Sequence, residues 1–119
     1  MTALRIFLAD DHPVVLAGMR SLVEAEPDLC VVGEAGDAEA TLAGAAAARP
    51  DVLVLDLSMP GGGGVQVASR LGPAGVGRCV VLTQHEEGAY VRRLLELGVA
   101  GYVLKRSAAT ELVRAIRVA

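Results

Sequence analysis

The stretch Val52-Leu53-Val54-Leu55-Asp56-Leu57-Ser58-Met59-Pro60 decides how this chain is read. Four consecutive β-prone apolar residues suit a strand buried on both faces, and the run ends abruptly in a carboxylate. The same pattern recurs at two other places. Arg5-Ile6-Phe7-Leu8-Ala9 runs into Asp10-Asp11, and Tyr102-Val103-Leu104 runs into Lys105. In an open parallel sheet the carboxyl ends of the strands share one crevice, and ligands bind there. Three carboxylates and one ammonium in that crevice describe a site for a divalent cation and a phosphoryl group.

Working outward, short apolar runs alternate five times with helix-like segments. Strands are expected at about 5–9, 29–34, 52–56, 79–83 and 101–104. Pro13 opens a first helix whose inner face is Val15, Met19 and Leu22. An Ala-rich second helix runs from an N-cap at Asp37 to Arg49 and stops before Pro50. A short third helix spans about 65–71 and ends in Gly72-Pro73. The fourth, 86–97, turns Val91, Leu94 and Leu95 inward and ends at Gly98, a C-cap. The fifth starts at an N-cap, Ser107, and packs through Leu112, Val113 and Ile116. The pattern is (βα)5, an α/β doubly wound parallel sheet with helices on both faces. Gly61 to Gly64 form a loop rather than a linker.

Composition narrows the function classes. At 119 residues the chain makes one domain, 1–119, with a core of its own. Hydrophobic residues make up 53% and charged residues 21%, which excludes disorder. A net charge of −3 leaves no basic footprint for nucleic acid. No apolar stretch reaches the roughly 18 residues of a membrane span. The start runs straight into a strand, so no signal peptide is expected and the protein is read as cytoplasmic. Cys30 and Cys79 lie in strand-like runs without metal-site spacing and are read as buried, reduced thiols.

The acidic set needs compensation. Two carboxylates about 4 Å apart repel by about 4 kcal/mol at an effective dielectric near 20. Oxygen ligands with room for water suit Mg²⁺. A carboxylate can also serve as a nucleophile and form an aspartyl phosphate, with the cation and Lys105 neutralising the phosphoryl oxygens. Thr83, after the fourth strand, either donates its hydroxyl to a phosphoryl oxygen or satisfies a local backbone group. His12 is read as a partly exposed polar residue at the start of the first helix, in preference to a metal ligand. Arg92 and Arg93 read as a solvated helix face, and Tyr90 as packing at a helix edge.

Taken together, Ala9-Asp10-Asp11-His12-Pro13, Asp56 to Pro60 with Gly64, Leu82-Thr83 and Gly101 to Lys105 resemble the receiver domain of two-component response regulators. The resemblance covers essentially the whole chain. The Asp-Asp-His-Pro-Val-Val opening and Lys105-Arg106-Ser107 are similar to the NarL/FixJ subfamily, whose receivers usually precede a LuxR-type helix-turn-helix domain. The resemblance implies a flavodoxin-like fold with strand order 2-1-3-4-5. It implies Asp56 as phosphoacceptor, and Mg²⁺, replaceable by Mn²⁺, held by Asp11, Asp56 and the Ser58 backbone carbonyl, with Asp10 acting through water. Lys105 pairs with Asp56 and then with the phosphoryl group. Thr83 and Tyr102 form a switch pair, while Ser58 and His85 tune dephosphorylation. The implied partners are a sensor histidine kinase, a second copy of the chain in a phosphorylation-promoted homodimer, and DNA through a C-terminal domain beyond this chain. Arg106 stands where many receivers carry Pro, so the isomer of the Lys105–Arg106 bond is left open.

Two other functions fit the same fold. A phosphorylation-independent interaction module would tolerate loss of an acidic residue, Thr83 or Lys105, yet all are present. A flavin- or phosphate-binding enzyme would need amide donors after the first strand, where Asp10-Asp11 instead repels an anion.

Overall fold

A computed structural model describes residues 3–57, 59, 66–71, 78–84 and 88–119, apart from the side chains of 88–91 and 94. Five strands, β1 (Leu4–Ala9), β2 (Leu29–Ala35), β3 (Val52–Asp56), β4 (Cys79–Thr83) and β5 (Gly101–Leu104), form one sheet. Its order is β2-β1-β3-β4-β5, and all the neighbouring pairs are parallel. Helices α1 (Pro13–Glu24), α2 (Ala38–Ala48), α3 (66–71), α4 (Gly88–Leu97) and α5 (Ala108–Val118) connect or follow the strands. This is the doubly wound sheet expected from the run pattern, in the flavodoxin-like strand order that the family resemblance implies.

Alternation along the strands explains why both faces are covered. Ile6, Leu8, Val52, Val54, Val80 and Leu82 point to one side, where Met19 and Val23 of α1 and Leu112 and Ile116 of α5 meet them. Phe7, Ala9, Leu53, Leu55, Cys79 and Val81 point to the other, against Ala38 of α2, Val67 and Ala68 of α3, and Leu97 of α4. Val15 and Leu22 pack at the rim of the first cluster, as their helical spacing predicts. The Asp37 carboxylate accepts the Ala40 N–H at 2.7 Å, which makes it the N-cap of α2. Arg49 closes that helix in the left-handed region at φ 49°, and Arg5 Nη1 donates to its carbonyl at 3.0 Å. Gly98, at φ 100°, ends α4 as the sequence indicates.

The Phe7 ring lies between two glycines, Gly33 of β2 and Gly44 of α2. A Cβ at either position would come within 2.6 Å of the ring, so the ring cannot yield to one side without striking the other. Glycine inside a helix normally costs about 0.5–1 kcal/mol relative to alanine. Overpacking a closed core costs about 1–3 kcal/mol, and here it wins. Gly44→Ala should therefore lower the urea midpoint; a raised midpoint would show that Phe7 has room to move.

Three side-chain expectations need correction. Leu95 is 50% exposed; it lies two residues, about 200° of helix, from Leu97, which packs on the core. Cys30 is only half-buried because β2 is an edge strand covered incompletely by its helices, whereas Cys79 on β4 is buried. Ser107 occupies the N-cap position of α5 without a side-chain capping bond. A 3₁₀ turn, Lys105–Ser107, precedes the helix and already satisfies the Ala108 N–H at the Lys105 carbonyl. Arg92 and Arg93 are exposed, as expected. The inward turn of Val91 and Leu94 and the packing of Tyr90 lie outside the described side chains. Among the described residues no peptide bond is cis, so Lys105–Arg106 is trans.

Neither Cys30 nor Cys79 is in a disulfide. Burial pushes the Cys79 thiol up to about 12 from an ordinary 9.0. Folding therefore favours its protonated form, a contribution present below about pH 9 and lost as pH climbs through about 12. In iodoacetamide labelling at pH 8, Cys79 should stay unmodified until the chain unfolds, and Cys30 should react first. Equal labelling of the native protein at both cysteines would contradict this burial.

At the amino-terminal end of the sheet, Arg117 near the end of α5 donates to Asp28 at 2.8 and 3.0 Å and to Glu26 at 2.6 Å. This contact holds the Asp28 carboxyl below the usual carboxylate range.

Candidate functional site at the carboxyl ends of the strands

Strand register assembles the site. Ala9 pairs with Leu55, so the next residues, Asp10 and Asp56, stand side by side. Asp56 pairs with Leu82, and Thr83 pairs with Leu104, which brings Thr83 and Lys105 to the same rim. Parallel strands ending at one level thus deliver the four charged or polar groups expected from the sequence. The side chains of Asp10 and Asp56 are almost wholly buried, Thr83 is buried, and Asp11 is partly open to solvent.

Lys105 Nζ lies 3.2 Å from Asp10 Oδ2 and 3.2 Å from Asp56 Oδ1. The ammonium therefore bridges one oxygen of each carboxylate. On Asp10 Oδ2 that contact lacks hydrogen-bond alignment, and this buried atom receives no aligned donor. The remaining Asp10 oxygen, Oδ1, accepts the His12 backbone N–H at 2.8 Å.

His12 joins the cluster more closely than its sequence position suggests. Its ring is 48% exposed, in keeping with a polar residue at the start of α1. Yet Nδ1 lies 2.9 Å from Asp10 Oδ1, 3.0 Å from Asp11 Oδ1, 4.0 Å from Asp56 Oδ2 and 3.3 Å from Lys105 Nζ. The signal that could have exposed this is local. A residue directly after an acidic pair at a helix start can bond its own N–H to the acid two positions back, and that turn swings its ring over the pair.

Asp10, Asp11, His12 and Asp56 offer ligand atoms that all lie within 4.8 Å of one another. Three carboxylates and a buried oxygen with no aligned donor are a donor set that fits a hard divalent cation. Tyr102, on edge strand β5, is 47% exposed. Ser58, His85 and the Gly61–Gly64 run lie outside the described residues.

The family model for the response regulator receiver domain matches residues 6–117. The chain belongs to the response-regulator receiver family. Among curated relatives, this receiver is 39% identical over 117 residues to the DNA-binding transcriptional activator DevR/DosR of Mycobacterium tuberculosis, an alignment covering 95% of this chain and 52% of that protein. It is 38% identical over 114 residues to the nitrate/nitrite response regulator protein NarL of Escherichia coli, covering 93% and 52%. Among solved structures, a LuxR-family two-component response regulator from Aurantimonas superposes with a TM-score of 0.88 at 38% identity, covering 98% of this receiver and 84% of that chain. The NarL-like resemblance seen in the motifs thus holds. The receiver spans about half the length of the curated relatives it matches.

Proposed function

We propose that this receiver accepts a phosphoryl group on Asp56 in a Mg²⁺-dependent reaction with a sensor histidine kinase, and that the modification switches a transcriptional output. One observation carries the reading. Asp56 is a buried carboxylate at the end of a central strand, bridged by Lys105 at 3.2 Å and flanked by two more carboxylates. A structural role alone does not account for gathering three like charges there.

In this reading an Asp56 oxygen bonds to phosphorus as the bond from phosphorus to the donor imidazole breaks. Asp11, Asp56 and the Ser58 carbonyl would hold Mg²⁺, with Asp10 acting through water, and the bound ion would supply positive charge beside the phosphoryl oxygens. Lys105 supplies a second positive charge, already placed against Asp56. Thr83 donates its hydroxyl to the new phosphoryl group, while Tyr102 is exposed enough to have an inward position left to take. Ser58 and His85 tune the return reaction with water. Phosphorylation adds about −1.5 to −2 of charge at one point, enough to bias a two-state element.

The regulated partners are a second receiver, in a phosphorylation-promoted homodimer, and DNA, reached through a domain outside residues 1–119. A cytoplasmic setting fits this role; among the described residues no helix is long and apolar enough to cross a membrane.

The test is intact mass after incubation with acetyl phosphate, with Mg²⁺ or with a chelator, followed by sedimentation of the product. One phosphoryl adduct that requires Mg²⁺ is expected, together with a heavier species. A monomer at every concentration would remove the dimer alone. Failure both to form an adduct and to bind a beryllofluoride complex with Mg²⁺ would favour the phosphorylation-independent module.

A further inference from the structure

The geometry points to His12 as an imidazole ligand that opens the cation site to first-row transition ions such as Ni²⁺ and Co²⁺. This rests on the reading of the acidic cluster as a cation site. Two features carry it, the spacing of the donors and the division of labour among the carboxylate oxygens.

Adjacent ligands on an octahedral ion at about 2.1 Å are about 3.0 Å apart, and opposite ligands about 4.2 Å. His12 Nδ1 stands 2.9 and 3.0 Å from oxygens of Asp10 and Asp11, and 4.0 Å from Asp56 Oδ2. The ring nitrogen thus keeps the spacing of a neighbour to two oxygens and nearly that of an opposite to the third. Lys105 approaches different oxygens, Asp10 Oδ2 and Asp56 Oδ1. The oxygens that face His12 are therefore not the ones the ammonium uses, and its 3.3 Å contact with Nδ1 is the one an ion would displace. The buried Asp10 Oδ2 meets the Lys105 ammonium at 3.2 Å but without hydrogen-bond alignment, so the cluster keeps an acceptor direction unused.

Chemistry then sets the ion class. Mg²⁺ favours oxygen ligands and gains little from imidazole, whereas affinity for nitrogen donors rises steeply toward Ni²⁺ along the first row. A set of one nitrogen and three oxygens therefore shifts preference away from Mg²⁺. When the ion binds, Nδ1 gives its lone pair to the metal and any proton on it passes to solvent. His12 is 48% exposed, so the ring has space to adjust.

The experiment is calorimetric titration of the untagged chain with Ni²⁺ and, separately, with Mg²⁺, for the parent, His12→Ala and His12→Gln. The other histidine is controlled by His85→Ala. The ratio of Ni²⁺ to Mg²⁺ affinity should fall about tenfold or more on replacing His12, and should hold on replacing His85. With Co²⁺, the proton NMR spectrum of the parent should show a strongly shifted exchangeable imidazole N–H resonance that His12→Ala lacks. An unchanged affinity ratio in both His12 variants would overturn the assignment. Ni²⁺ binding that depends on His12, in a parent that binds no Mg²⁺, would keep this inference and overturn the Mg²⁺-dependent reading proposed above.

Discussion

Asp56→Asn should take up no phosphoryl group from acetyl phosphate and Mg²⁺ under conditions in which the parent gains one. The amide carries no negative charge and is a poor nucleophile, so the loss should be complete rather than graded. Asp10 is the nearest competitor, equally close to Lys105 at 3.2 Å. Its Oδ1 already accepts the His12 backbone N–H at 2.8 Å with the ring Nδ1 at 2.9 Å, which leaves only Oδ2, facing Lys105, to compete. Asp11 is partly open to solvent and makes no ion pair with Lys105 among those described, so it lacks the charge that would steady the transferred group. Asparagine nearly matches aspartate in shape and removes one of three clustered charges, so the variant should fold. Intact mass and circular dichroism together decide it. An adduct of equal yield on a folded Asp56→Asn chain would place the acceptor elsewhere.

Lys105→Ala should destabilise the metal-free domain by about 3–5 kcal/mol at neutral pH, the cost of leaving buried charges without their partner. The two carboxylates it bridges have side chains no more than 1% exposed, and Lys105 itself is only 12% exposed. Solvent therefore screens these contacts little. Surface ion pairs behave differently, typically contributing about 0–1 kcal/mol. Urea unfolding with and without Mg²⁺ separates the cases. A divalent ion binding only the folded chain should recover part of the loss by mass action. A loss below about 1 kcal/mol without Mg²⁺ would mean that water or the His12 ring already compensates the pair.

The middle of the sheet was legible because β3 and β4, and most of β1, are buried on both faces and so read as apolar runs such as Val52 to Leu55. The charged residues ending those runs were legible for the same reason, since parallel strands bring their ends to one level. Side-chain direction within the helices was harder to read. Leu95 reads as core by its type, yet which face of a helix turns inward depends on its rotation, and tertiary packing sets that. Cys30 sits in as apolar a run as Cys79, but sheet order, not local sequence, decides which strand lies at the edge. The approach of His12 to the acidic cluster follows from a backbone turn, its N–H bonded to Asp10, that the pattern of side chains does not announce. Arg117 meets Glu26 and Asp28 some ninety positions earlier in the chain, a pairing that only the closed fold reveals.

The last helix has a mechanical consequence. α5 leaves the charged crevice one short turn after Lys105 and reaches Arg117 at the opposite pole, a span of about 16 Å for its 11 residues. Leu112 and Ile116 seat it along the sheet, and the Arg117 contacts anchor its far end. A rod held this way converts a small shift of its first turn into a tilt of its last. Chain continuing past Ala119 would inherit that tilt as a change of heading, so an event among three aspartates could steer an attached body without touching it.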